Sequence, residues 1–182
     1  MSLITPHGAT SLTPLLATGQ RLAELEAESA RLPSITVSSA AAANAVMLGA
    51  GYFTPLKGYM NRCDALSVAT DLKTTDDLFW PVPVLNMVER FDGNLGDRIA
   101  LRDPNVDGAP VIAVMDLTGI ECLSDGDMAL MTREVFGTDD PNHPGVATFN
   151  SQGQVLLSGP IEVLNYSYCL LYTSPSPRDT LL

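Results

Sequence analysis

The sequence predicts an α+β fold, a small mixed β-barrel with peripheral helices, on three observations. Between residues 93 and 117, short apolar stretches alternate with Gly, Asp and Pro turns, the pattern of a meander of short strands whose closure hides their edges. On either side of that stretch, segments with apolar residues at helical spacing begin after Ser or stop at Gly or Pro. Finally, 182 residues with 46% hydrophobic content bury the core of one domain, with a tail or an incomplete second domain to spare.

In chain order, residues 1–19 carry Pro6, Gly8 and Pro14 among short apolar pieces and read as an extended arm laid over a surface. Residues 20–32 place Leu22, Leu25 and Leu32 at helical spacing among charges, and Pro33 ends the pattern. Ile35, Thr36 and Val37 form a short strand, after which Ser38 or Ser39 caps an alanine-rich helix over 40–48 that Gly49 and Gly51 stop. Residues 48–60 are the hub of the chain. Three glycines and Pro55 constrain the backbone there, while Tyr52, Phe53, Leu56, Tyr59 and Met60 supply an apolar payload. We read it as a tight corner whose side chains plug two elements together; the alternative is a loop whose N–H groups wrap a phosphate. Its spacing fits neither a dinucleotide fingerprint nor a P-loop, because Lys57 lacks the preceding glycine and the following Ser or Thr.

Residues 62–70 form a helix with Cys63, Leu66 and Ala69 inward. Over 78–87, prolines at alternate positions imply an edge strand with Val82 and Val84 on one face. Trp80, ahead of them, is a core plug or a stacking platform. Gly93 and Gly96 turn the chain into a strand over 98–102, and residues 103–108 turn it again into a strand over 109–117. Ser124 and Asp127 make a capping-box-like start for a helix reaching Phe136, with Met128, Met131 and Val135 on one apolar stripe. Residues 137–146 are a polar loop containing His143, which serves local structure or a site. Two strand-like pieces, 155–158 and 161–164, flank Gly159 and Pro160.

Composition narrows the function. Ten basic against 21 acidic residues give a formal charge of −11, which repels nucleic acid and anionic membranes alike. Cys63, Cys122 and Cys169 have no metal-ligand spacing, and their odd number supplies no disulfide framework, as for a protein of the reducing cytoplasm. His7 and His143 are the only histidines, too few and too scattered for a zinc cluster. There is no nucleophile-elbow pattern, no signal-peptide pattern and no apolar run long enough to span a membrane.

Four segments carry a family resemblance. Residues 51–60, Gly-Tyr-Phe-Thr-Pro-Leu-Lys-Gly-Tyr-Met, are similar to a signature of the ATP sulfurylases (sulfate adenylyltransferases). So are Trp80-Pro81-Val82-Pro83-Val84 and the Gly-x-x-Ile-Ala-Leu run ending at Leu101. Phe136-Gly137-Thr138-Asp139 with His143-Pro144-Gly145-Val146 is the fourth, and the opening from Ile4 to Gly8 also resembles the bacterial members. Ala40 and Ala41 depart from the pattern, since relatives carry an Arg shortly after the serines.

The resemblance implies a PUA-like N-terminal domain over residues 1–166. It also implies a parent enzyme that joins sulfate to the α-phosphate of ATP, giving adenosine 5′-phosphosulfate and pyrophosphate. In such a parent, ATP with Mg is a substrate and the protein is a homo-oligomer; this fragment itself holds no cofactor and no metal. The family's Gln-x-Arg-Asn-Pro-x-His-x-x-His and Gly-Arg-Asp-His motifs do not occur in these 182 residues, so no catalytic residue transfers and the fragment is expected to be inactive alone. Lys57, Asn61, Arg62 and His143 are the residues to examine for contact with the active site of the missing domain. Residues 167–182, with Ser-Pro-Ser-Pro, match nothing in the family and read as a disordered or foreign read-through tail. The alternative is a non-catalytic PUA-like module that binds RNA or protein. An exposed apolar patch is the expected mark of a domain whose neighbour is absent.

Overall fold

The computed structural model describes residues 5–164; the reading of residues 167–182 falls outside them. In chain order the elements are α1 (Gly19–Ser29), β1 (Ser34–Thr36), α2 (Ser39–Gly49), β2 (Gly58–Tyr59), α3 (Arg62–Asp71) and β3 (Met87–Val88). They continue with β4 (Arg98–Arg102), β5 (Val111–Asp116), β6 (Gly119–Cys122), α4 (Asp125–Phe136), α5 (Pro144–Asn150) and β7 (Val155–Val163). The strands form one mixed sheet, ordered β1-β4-β5-β7-β2, that curls into a half-barrel, with β3 and β6 also paired to β7. Only the β1–β4 pair is parallel among these ladders.

Local chemistry accounts for most of the boundaries. Ser38 caps α2 by accepting from Ala41 N at 3.1 Å, and Asn61 caps α3 by accepting from Asp64 N at 2.8 Å. Ser124 and Asp127 form a reciprocal capping box at the start of α4. Gly137, with φ of 70°, ends that helix in the left-handed conformation glycine favours. Side chains alternate over the middle of β5. Ala113 and Met115 enter the main core beneath α2, α3 and α4, while Val114 joins Ala17, Leu25 and Leu164 under α1.

That α1 face is also tied down by charge. Arg98 of β4 donates to Asp116 Oδ1 at 2.6 Å, to Glu162 Oε1 at 2.9 Å and to Glu28 of α1. Arg21 of α1 holds the same Glu162, its Nε lying 2.7 Å from Oε2. Two guanidinium groups thus serve three carboxylates drawn from α1, β5 and β7, and Arg98 reaches them from β4, the neighbour of β5.

Several expectations give way to tertiary context. Gly159 and Pro160 do not divide the last strand: β7 runs unbroken for nine residues because Gly159 allows the chain to pass against Asp116 O, which a Cβ would meet at 2.0 Å. The missing N–H of Pro160 is tolerated because the residue is exposed and faces the two-residue ladder of β2. Residues 82–86 are not an edge strand, and Val82 and Val84 do not share a face: Val82 is exposed and Val84 is buried. Cys63 points outward, and Ala65, Val68 and Ala69 take the inner face of α3. Three elements are additional to the sequence reading: the short β2 inside the hub, β6 and α5.

The approach of β2 to β7 yields a direct prediction. A Cβ on Gly58 would lie 1.9 Å from Gly159 O, so Gly58→Ala is expected to lower the unfolding free energy by about 1–3 kcal/mol through forced overpacking. Equilibrium urea unfolding of the two proteins checks this; equal midpoints would mean that the β2–β7 contact is not tight.

Candidate functional site

The hub is a corner, as read. After α2 the chain turns through residues 50–55, with a cis bond between Thr54 and Pro55. The Thr54 hydroxyl donates to Gly51 O at 2.8 Å and accepts from Thr13 N at 3.0 Å, which fastens the N-terminal arm to the corner. Phe53 packs edge-on against Trp80, centroids 5.6 Å apart and planes at 88°, so Trp80 is a core plug. Tyr59 is buried and donates from its hydroxyl to Ala41 O at 2.8 Å, and burial pushes its phenol pKa up. Tyr52, by contrast, is 70% exposed and plugs nothing.

The charged and polar residues beside the hub have defined positions. Asn61 is committed to capping α3. Arg62 donates its backbone N–H to Glu121 at 2.9 Å, and its guanidinium grips Asp127 with two hydrogen bonds of 3.0 and 2.8 Å. That grip holds the Asp127 carboxyl down to a pKa of about 2, with help from the N–H and hydroxyl of Ser124 and against the opposing effect of burial. Arg62 therefore joins α3 to α4. Lys57 is exposed and lines a shallow depression of about 290 Å³ with Asn61, Asp64, Thr118 and Ser158. The Ser158 hydroxyl there is buried and without a hydrogen-bond partner among the described residues. His143 stands at the N-cap position of α5 with no side-chain cap bond, its ring 5.8 Å from that of Phe136. The preceding turn is local: Asp140 accepts from Asn142 N and Nδ2, both at 2.9 Å. The structure does not bring His143 together with Lys57, Asn61 and Arg62: His143 lies at α5, and the other three lie at the hub and the start of α3.

Two larger features were not read as sites from the sequence. One is an apolar cavity of about 460 Å³ between α2, α4 and α5, lined by residues that include Ala40, Asn44, Val82, Val135, Phe136 and Phe149. Ala40, one of the two alanines that depart from the family pattern, keeps that wall uncharged. The other is a hollow of about 450 Å³ formed by the arm, the hub and the segment after α3, whose rim includes Leu12, Tyr52 and Phe79. Here His7 Nε2 donates to Phe79 O at 2.9 Å.

The basic side chains are largely committed elsewhere. Arg21, Arg62, Lys73, Arg90, Arg98 and Arg133 all pair with carboxylates. Among the described residues no three His, Cys, Asp or Glu side chains converge to hold a metal ion, and no helix is long and apolar enough to cross a membrane.

A half-barrel of this topology, capped by helices on both faces, defines a PUA-like α+β domain. Residues 4–166 match the PUA-like domain family, and the chain belongs to it. Its relatives include proteins named sulfate adenylyltransferase: that of Alcanivorax borkumensis is 55% identical over 170 residues, covering 92% of this chain and 42% of its own length. That of Allochromatium vinosum is 56% identical over 168 residues, covering 91% and 42%. That of the Riftia pachyptila sulfur-oxidizing endosymbiont is 47% identical over 169 residues, covering 91% and 38%. The chain thus spans about two fifths of the length of the curated relatives it matches. Among solved structures, a hexameric APS kinase from Thiobacillus denitrificans superposes with a TM-score of 0.66 at 22% identity, covering 94% of this chain and 29% of that one, which shows the fold.

The Arg62–Asp127 pair sets a pH signature. The folded-state pKa of Asp127 is depressed, so its stabilisation is full above the unfolded value of about 3.9 and is lost as pH falls through about 2. Asp127→Asn is expected to unfold at lower urea than the parent at pH 7, with the gap closing between pH 4 and pH 2. A gap unchanged at pH 2 would assign the loss to packing instead.

Proposed function

We infer that this chain is the N-terminal part of a sulfate adenylyltransferase and that it supports a catalytic portion instead of carrying the chemistry. The observation behind this is the identity of 55% and 56% to two proteins of that name over nine tenths of this chain but only 42% of theirs. The reaction of the whole protein joins sulfate to the α-phosphate of ATP, releasing pyrophosphate. Such nucleotidyl transfer depends on positioning and on cations aimed at the charge that develops on phosphorus. The pairing of most described basic side chains with carboxylates, in a chain of net charge −11, agrees with anion binding elsewhere.

On this reading ATP, with Mg, and sulfate are partners of the catalytic portion, and the domain contributes no catalytic residue and no metal ligand. The whole protein is a cytoplasmic homo-oligomer of sulfur metabolism. Residues 1–166 are the domain, and residues 167–182 are a non-family tail. Binding of RNA is disfavoured by the same acidic balance, since such proteins carry a basic stripe.

Sulfate-dependent pyrophosphate release is expected to be absent from the 182-residue chain. It is expected to appear when residues 1–164 are joined to the remainder of the Alcanivorax borkumensis relative. Activity of the 182-residue chain alone would contradict the division of labour. A folded but inactive chimera would contradict the adenylyltransferase reading.

A further inference from the structure

Large apolar side chains left in water concentrate on one face. Leu12 is 59% exposed, Tyr52 70%, Phe79 50% and Val82 51%. The first three rim the hollow between the arm and the hub, and Val82 carries the same surface over Pro81 to the wall of the apolar cavity. Three separate segments, the arm, the hub and the chain after α3, converge to build it. Each is held in place by a bond of its own: Thr13 N to Thr54 Oγ1, Thr54 Oγ1 to Gly51 O, and His7 Nε2 to Phe79 O. A fixed, contiguous apolar surface on an otherwise acidic protein marks a contact.

We propose that this face, centred on Tyr52 and Phe79, is the seat of the portion that follows residue 164 in the longer sulfate adenylyltransferases. The proposal rests on the reading above. Two features select that occupant over a second copy. The first is where the chain leaves the domain. Val163 N donates to Leu15 O at 2.8 Å and Ala17 N donates to Val163 O at 2.8 Å, so β7 ends beside the arm. Leu12 is four residues along that arm from Leu16, a reach of about 13 Å at about 3.3 Å per residue. The end of β7 therefore lies within that reach of the rim of the face.

The second feature is size. An interface between free molecules takes about 20–30 residues a side, whereas this surface offers four large apolar side chains and their neighbours. A tethered partner needs far less, because a short linker supplies an effective concentration of about the millimolar range. A second copy brings no tether and adds another charge of −11.

The test compares the 182-residue chain with the chimera described above, using hydroxyl-radical footprinting at Tyr52 and Phe79, with exposed Leu95 as the internal reference. In the chimera both aromatics are expected to react at least about fivefold more slowly, as for side chains in an interface core, while Leu95 is unchanged. Tyr52→Asp is expected to leave the melting temperature of the 182-residue chain unchanged and to lower that of the chimera by about 2–4 °C. An active chimera whose Tyr52 and Phe79 react as in the 182-residue chain would overturn the docking face and leave the function intact. A folded, inactive chimera would overturn the function, and protection measured in it would still decide the face. Sedimentation of the 182-residue chain is expected to show a monomer; a dimer with Tyr52 protected would assign the face to a second copy and overturn the proposal.

Discussion

The ladder of β7 is the constraint on which the rest of the molecule depends. Its residues Val155–Val163 pair in turn with β6 and β3, then β2, then β5, and Val163 also bridges to the arm at Leu16. A strand shared this widely leaves little space around it, and the neighbouring sequence answers with small residues. Gly58 and Gly159 meet backbone to backbone, and Gly49 at the end of α2 lies against Val163, which a Cβ would reach at 2.9 Å. At the end of α2, where the hub begins, the Val163 side chain thus leaves no room for a Cβ on Gly49.

From that frame the two surfaces follow. On one side, Glu162 of β7 and Arg98 of β4 anchor α1 through a cluster of charges, so that part of the acidic excess is spent internally. On the other, the hub and arm are fastened around Thr54 but leave Leu12, Tyr52 and Phe79 in water. An apolar face beside the end of β7 agrees with the seat proposed above. Most of the domain's described cations pair with carboxylates, and this agrees with a supporting role in a larger enzyme.

Much of this was legible from residues whose meaning is local. Ser38, Asn61, Ser124 and Asp127 lie where helices begin, and Met128 and Met131 lie inward on α4. The PUA-like class and the adenylyltransferase relatives were readable from the hub, from the Trp80–Val84 run and from the segment around His143. What escaped depends on partners distant in sequence. Gly159 and Pro160 read as a break because their tolerance comes from Asp116 and Gly58. Tyr52 and Cys63 read as inward because apolar character and helical spacing do not say which face a neighbour covers. β6 was missed because its side chains are only partly buried, so Gly119–Cys122 carries little alternation. Arg62 gave no hint of its pairing with Asp127, 65 residues away.

The central claim is that this domain supplies fold and docking surface, and that substrates bind elsewhere. Calorimetric titration of the 182-residue chain with adenosine 5′-phosphosulfate, and then with ATP and Mg, tests it most directly. The account predicts no binding heat beyond dilution for either. Saturable binding of either one, abolished by Lys57→Ala, would contradict it and move the substrate site into the depression beside the hub.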